Sequence, residues 1–113
     1  MRTPSEHEEQ VLFVQWFRRQ FPGVMIFAIP NGGLRGKIAA AKLKAEGVTA
    51  GVPDLYIPEW RVWVEMKRQK GGRLSQPQRD VLRYLGEFDT TIVAKGFEDA
   101  KRQIREIERT SND

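Results

Sequence analysis

The sequence predicts a single α/β domain that spans residues 1–113. Segments with helical spacing of apolar residues alternate with short segments rich in β-branched and aromatic residues. Their order is helix, strand, helix, strand, strand, helix, strand, helix. A chain of 113 residues is long enough to bury one core but not two. We therefore expect one mixed sheet flanked by helices, ending in a disordered tail at residues 110–113.

The first helix is predicted over residues 5–20. Ser5 is a suitable N-cap and Glu8 stands three residues later, which is the spacing of a capping box. An apolar stripe follows, formed by Leu12, Phe13, Trp16 and Phe17. Helical phase places Glu9 on the buried side of this stripe. Either a metal ion is the partner of Glu9, or the stripe simply ends in water there; Glu6 is the reserve candidate.

Residues 24–29 form a continuous apolar run, which predicts a central strand. Pro30-Asn31-Gly32-Gly33 ends it, and this loop is equally compatible with a DNA phosphate contact and with a plain turn. An Ala- and Lys-rich helix is predicted from about Leu34 to Glu46, where Gly47 stops it.

Two adjoining strands carry the strongest chemical signal. If Ile57 pairs with Val62 across the reversal at residues 58–61, Asp54 lies opposite Glu65, with Cβ atoms about 5 Å apart. Lys67 points the same way because side chains alternate along a strand. The other face is uniformly apolar and is predicted to pack on the core; it comprises Leu55, Ile57, Val62, Val64 and Met66.

Asp54, Glu65 and Lys67 admit two interpretations. Neighbouring carboxylates repel unless a cation lies between them, and all-oxygen ligands favour Mg²⁺ or Mn²⁺. Such a site can hydrolyse phosphodiesters. The alternative is a pair of acids on a solvated sheet face, neutralised by Lys67. The basic segment that follows favours the metal site.

The rest of the chain predicts a helix over residues 75–85, a strand over 90–95 and a helix over 97–108. Ser75 and Gln78 have capping-box spacing, with Pro77 in the first turn. Gln78 can therefore cap its own helix, or it can turn toward the metal and leave Ser75 to cap alone. The two roles are expected to exclude each other.

The distribution of charge predicts a polyanionic partner. The formal net charge is +4, and Lys and Arg cluster on both sides of the carboxylates. The predicted DNA-binding residues are Asn31, Arg35, Lys37, Lys42, Lys44, Arg68, Lys70 and Arg73. The absence of Cys and the single histidine, His7, argue against zinc hydrolase and histidine-based nuclease schemes. The start of the chain lacks the apolar stretch of a signal peptide, so a cytoplasmic protein without a membrane segment is expected.

Three motifs taken in order resemble a known family. Gly51-Val52-Pro53-Asp54-Leu55, then Val64-Glu65-Met66-Lys67, then Gly71-Gly72-Arg73-Leu74-Ser75-Gln76-Pro77-Gln78 look like the VRR-NUC family of the PD-(D/E)xK nuclease superfamily, in its stand-alone phage and bacterial form. The resemblance implies a restriction-endonuclease-like core of order α-β-β-β-α-β, with one inserted and one carboxyl-terminal helix. It also implies a Glu on the first helix and Gln78 in the active site, beside the Asp54, Glu65 and Lys67 set.

The function implied by the resemblance is a metal-dependent endonuclease, selective for DNA structure, in the cytoplasm of a bacterial host. A small chain without a separate recognition domain favours shape over sequence. A Holliday junction must be cut in two strands, so a homodimer is expected, with Trp60 at the hairpin tip as one candidate contact. The alternatives are a flap or unspecific nicking nuclease, and a DNA-binding or assembly module whose site has decayed.

Overall fold

The computed structural model describes residues 2–30 and 36–111, except for the side chain of Ser111. Helices and strands follow the predicted order. The helices are α1 (Glu6–Gln20), α2 (Lys37–Ala45), α3 (Gln76–Leu85) and α4 (Phe97–Ser111). The strands are β1 (Phe27–Ala28), β2 (Leu55–Ile57), β3 (Val62–Lys67) and β4 (Thr90–Lys95). The α/β fold class is confirmed.

The strands form one mixed sheet in the order β1-β2-β3-β4. The first three are antiparallel neighbours, whereas β3 and β4 run parallel and are joined by the crossover through α3. Within the hairpin Ile57 pairs with Val62, Tyr56 with Trp63 and Leu55 with Val64. The predicted register is therefore confirmed. The next pair in this register is Asp54 with Glu65.

The core lies on one face of the sheet. All five apolar residues predicted for this face of β2 and β3 have no exposed surface. Helices α1 and α4 cover them, contributing Phe13, Phe17 and Ile104, which are equally buried. Leu12, predicted to belong to the α1 stripe, is instead 45% exposed.

Strand β1 lies at an edge of the sheet, so the prediction of a central strand was wrong. Within the described residues it has two members and pairs with β2 alone. Met25 is 64% exposed, and of the apolar run at residues 24–29 only Ile26 is buried. Continuous apolar character had indicated burial on both faces, but most of these side chains are left at the edge.

Helix α2 packs weakly on the rest of the molecule. It has no buried residue, and Ile38 is 78% exposed. The helix ends before Gly47, which has the positive φ of 102° expected of a residue that closes a helix.

Trp60 packs against the core and is not an exposed contact at the hairpin tip. The reversal is a single 3₁₀ turn, Pro58–Trp60, which directs the indole back onto α1. Its ring centroid lies 5.3 Å from that of Phe17 and 4.8 Å from that of Phe21. The expectation that Trp60 is exposed at the hairpin tip was therefore wrong.

Helix α4 is longer than predicted. It continues to Ser111, so Thr110 and Ser111 are helical rather than part of a disordered tail, and Thr110 Oγ1 donates a hydrogen bond to the carbonyl of Glu106. Asn112 and Asp113 lie outside the described residues. Among the helices described, none is long and apolar enough to span a bilayer.

Candidate metal centre

Asp54 stands immediately before β2 and is held on two sides. Its Oδ2 atom accepts a hydrogen bond of 2.7 Å from the backbone N–H of Met66 in β3. Its carbonyl accepts one of 2.8 Å from the N–H of Ile29, just beyond β1. The carboxylate is therefore fixed at the end of the hairpin, beside Glu65.

Glu65 is almost completely buried, with 1% of its surface exposed. Burial, followed by the negative charge of Asp54, raises the pKa of Glu65 to about 8. Lys67 acts in the opposite direction, since its Nζ atom lies 3.8 Å from Glu65 Oε2. No described residue donates a hydrogen bond to the other oxygen, Oε1. A buried carboxylate oxygen without a partner is costly, and because the Asp54 carboxylate lies beside this one, the position fits a cation.

Lys67 and Gln78 complete the same side of the site. The buried Lys67 ammonium group donates a hydrogen bond of 3.0 Å to Gln78 Oε1. Gln78 Nε2 donates one of 3.3 Å to Glu65 Oε2. These two hydrogen bonds therefore join Glu65 and Lys67 of β3 to Gln78 of α3 in one network.

Gln78 caps its helix and contacts the site at the same time, so the expectation that the two roles exclude each other was wrong. Gln78 Oε1 accepts from the backbone N–H of Ser75 at 2.9 Å as well as from Lys67. Ser75 Oγ in turn accepts from the N–H of Gln78. One carbonyl oxygen has two lone pairs, and here each is used by a different donor.

Gly51 allows α3 to approach the Asp54 segment closely. Gly51 has φ of 90°, and a Cβ atom there would collide with the carbonyl of Pro77 and lie 2.8 Å from the backbone nitrogen of Gln78. Only glycine permits both this backbone conformation and this contact. Sequence reasoning treated Gly51 only as part of a motif and missed its packing role.

The third carboxylate of the cluster belongs to Glu6. One oxygen each from Glu6, Asp54 and Glu65 lie within 4.8 Å of one another. Burial and, after it, the charge of Asp54 raise the pKa of Glu6. Glu6 was only the reserve candidate, although it precedes Glu9 by three residues and so shares its helix face.

Glu9 is buried, as helical phase predicted, but the structure places it against another partner. It is 2% exposed, and its Oε1 atom accepts a hydrogen bond of 3.2 Å from the backbone N–H of Phe97 at the start of α4, whereas its Oε2 atom is buried without a described hydrogen-bond donor. It is not among the residues of the carboxylate cluster found within the described chain. Sequence could not reveal this, because the partner is 88 residues away.

The donor set suits a hard divalent cation. Its ligand atoms are all carboxylate oxygens, one acid is deeply buried, and one of that acid's oxygens has no other described partner. Mg²⁺ and Mn²⁺ both prefer such oxygen ligands. Glu6, Asp54 and Glu65 are thus the residues that would hold the ion.

The predicted DNA-binding cations occupy two exposed segments. Lys37, Lys42 and Lys44 lie on α2, and their side chains are exposed. Arg68, Lys70 and Arg73 are exposed in the segment between β3 and α3. Asn31 and Arg35 lie outside the described residues.

Comparison with known proteins gives a match at the level of structure. No family profile matches the sequence, and no curated protein does. A solved structure titled "VRR_NUC domain protein" superimposes with a TM-score of 0.80 at 28% sequence identity. The match covers 95% of this chain and 90% of that one, so the likeness extends through nearly all of both chains.

Proposed function

From the likeness to a VRR-NUC domain protein through nearly all of both chains, we propose that this chain is a VRR-NUC nuclease, a divalent-metal-dependent endodeoxyribonuclease that cuts branched DNA as a homodimer. The observation that carries the proposal is the cluster of Glu6, Asp54 and Glu65, whose oxygens lie within 4.8 Å of one another beside Lys67 and Gln78. An acid cluster alone is common on protein surfaces. A cluster in which one acid, Glu65, is almost completely buried and lies beside a buried lysine is much less common.

Glu6, Asp54 and Glu65 would hold the ion. A divalent cation at such a site polarises a phosphoryl oxygen and lowers the pKa of a water molecule, so that a nucleophile is available near neutral pH. The backbone N–H of Met66 fixes the orientation of the Asp54 carboxylate. Holding the acids in place before substrate arrives avoids reorganisation during the reaction.

Lys67 and Gln78 act on the substrate side of this site in our proposal. The Lys67 ammonium group stabilises negative charge that develops on the phosphate, and the hydrogen bond to Gln78 Oε1 fixes its direction. Gln78 is itself held by the cap of α3. Its amide therefore has little freedom, which suits a group that positions water or substrate.

The proposal that the substrate is branched rests on size and symmetry. A chain of 113 residues offers little surface for reading base sequence, and the exposed cations on α2 and after β3 suit the phosphate backbone. Resolving a four-way junction requires two cuts, which a two-fold dimer with paired sites can make.

A cleavage panel tests the activity and the substrate class together. Four-way, flap and linear duplex DNA are incubated with the protein in Mg²⁺, Mn²⁺ or EDTA. We expect four-way DNA to be cut fastest, with no cleavage in EDTA. Asp54→Asn should abolish cleavage, whereas Asp80→Asn, an exposed acid on α3, should not. Binding without cleavage in either metal would contradict the enzyme, and equal cutting of all three DNAs would contradict structure selectivity.

Light scattering tests the homodimer independently of cleavage. The expected mass is twice that of one chain, with or without junction DNA. A monomer at micromolar concentration in both conditions would exclude paired-site resolution while leaving the metal chemistry intact.

A further inference from the structure

We propose that Glu9 is a positioning residue, whose carboxylate ties the first turns of α1 to the start of α4 and thereby holds Glu6 at the metal centre. The inference rests on the proposed function, because it assumes that Glu6 holds the ion. It assigns Glu9 a different role from the metal ligand that the sequence suggested.

The amino-terminal half of α1 has little else to hold it. Among residues 6–12 only Glu9 is buried, and Val11 and Leu12 are 40% and 45% exposed. The apolar residues that anchor the helix begin at Phe13, two turns beyond Glu6. The position of Glu6 therefore depends on the one polar side chain that this half of the helix buries.

The partner of Glu9 is the amino terminus of a long helix. Glu9 Oε1 accepts from the N–H of Phe97, the first residue of α4. The first N–H groups of a helix have no partner within it, and negative charge is favourable there. The contact therefore stabilises α4 while it fixes Glu9.

Gly96 leaves room for the Glu9 carboxylate because it has no side chain. Its φ is 92°, and a Cβ atom there would lie 2.5 Å from Glu9 Oε2 and 2.7 Å from Gln69 Cγ. The N–H of Gly96 donates a hydrogen bond of 3.0 Å to the carbonyl of Lys67. The same turn therefore contacts both the helix that carries Glu6 and the strand that carries Lys67, so a shift of Glu9 would separate the two sides of the site.

Metal affinity measured without DNA tests the inference. Mn²⁺ is titrated into the full chain by calorimetry, with wild type compared with Glu6→Gln, Glu9→Gln and Glu9→Ala. Glu6→Gln should lose most of the affinity. Glu9→Ala should lose about tenfold, as is typical when a residue that orients a ligand is removed. Glu9→Gln should remain close to wild type, because its amide oxygen still accepts from Phe97.

Two results of this titration would overturn the inference. If Glu9→Gln loses as much affinity as Glu6→Gln, Glu9 is itself a ligand. If folded Glu9→Ala binds Mn²⁺ as wild type does, Glu9 has no influence on the site.

Gly96→Ala tests the same contact from the other side, and it decides the matter if Glu9→Ala does not fold. Gly23→Ala is the matched control, since Gly23 has φ of 91° but no atom within 4 Å of the added Cβ. Both variants place an alanine at nearly the same positive φ. We expect Gly96→Ala alone to weaken Mn²⁺ binding, by about tenfold; equal affinity in the two variants would overturn the inference.

Failure of the inference can be separated from failure of the proposed function. If wild type binds no Mn²⁺ or Mg²⁺, both are wrong. If wild type binds and Glu6→Gln does not, while the Glu9 and Gly96 variants match wild type, only the positioning role is wrong.

Discussion

The β2–β3 hairpin and the β1–α2 segment have opposite relations to the core. Every apolar residue on the inner face of the hairpin is fully buried, and its outer face carries Asp54, Glu65 and Lys67. Strand β1 is a two-residue edge, and α2 buries no residue. The residues of the proposed metal site thus lie on the best-packed part of the sheet. Three of the proposed DNA-binding lysines lie on α2, in the least-packed segment.

The difference matches what the two tasks require. A metal site loses function when its ligands move by a fraction of an ångström, so its supports must be rigid. Contacts with a phosphate backbone tolerate displacement because they are electrostatic and act over several ångströms. We therefore expect the same kind of substitution to have a large effect on catalysis or stability in the hairpin and only a small effect in the β1–α2 segment.

Lysine substitutions give the largest expected contrast. Lys67→Ala should lower kcat by about a thousandfold, because it removes a preorganised charge from the site. Lys42→Ala, an exposed lysine of α2, should leave kcat unchanged and weaken DNA binding only slightly. Single-turnover cleavage and a binding titration separate the two effects. A comparable loss of kcat in both variants would remove the distinction between the regions.

Two isoleucines compare the stability of the regions. Ile57→Ala should lower the free energy of unfolding by about 2–5 kcal/mol, since Ile57 is fully buried and the deletion leaves a cavity. Ile38→Ala should change it by less than about 0.5 kcal/mol, because Ile38 is 78% exposed. Urea unfolding measures both. A large loss for Ile38→Ala would show that α2 packs more tightly than the exposure of Ile38 indicates.

The pH dependence of stability tests the cost of burying the hairpin acid. The folded-state pKa of Glu65 is raised to about 8, so the folded chain binds a proton there that the unfolded chain has released. The resulting stability is complete below the unfolded pKa, near 4.5, and is lost as pH rises through about 8.

Glu65→Gln should therefore be more stable than wild type at pH 8 and closer to it at pH 5, when both are unfolded by urea in EDTA. At pH 8, Mg²⁺ should increase the stability of the wild type but not of Glu65→Gln, because the ion replaces the proton that Glu65 has lost. A difference between the two proteins that does not vary with pH would show that Glu65 stays ionised in the folded chain.

The α2 lysines should produce the smallest effect per residue. Replacing Lys37, Lys42 and Lys44 by Ala should reduce the slope of log affinity against log salt by about 0.9 for each phosphate that the protein no longer neutralises. Fluorescence anisotropy at several salt concentrations measures the slope. Arg109→Ala on α4, also exposed, is the control and should leave the slope unchanged. If the triple variant has the wild-type slope, DNA does not bind along α2.

Sequence was informative where local pattern determines structure. The alternation of apolar residues specified the hairpin register, because a slip of one residue would expose every core side chain of β2 and β3. The caps of α1 and α3 were likewise predictable from Ser5 with Glu8 and Ser75 with Gln78. The pattern also predicted the apolar face that the structure buries completely.

Prediction from the sequence failed where the surroundings of a residue depend on a partner that is distant in the chain. Helical phase showed that Glu9 is buried but could not show that the backbone N–H of Phe97 is its partner, and so Glu9 was preferred to Glu6. Trp60 looked exposed at a tip because Phe21 lies far from it in sequence. The apolar run around Ile26 could not show that, within the described part of the chain, its strand has a neighbour on one side only.

The contact between Gly51 and α3 also limits how the sequence can vary. In the proposed function, Asp54, Glu65 and Lys67 are required for the chemistry of their side chains. Position 51, in contrast, must have no side chain at all. Any other residue there would press on Pro77 and displace the cap that holds Gln78. A library randomised at position 51 should therefore return glycine almost exclusively when selected for cleavage, although this residue takes no part in the chemistry.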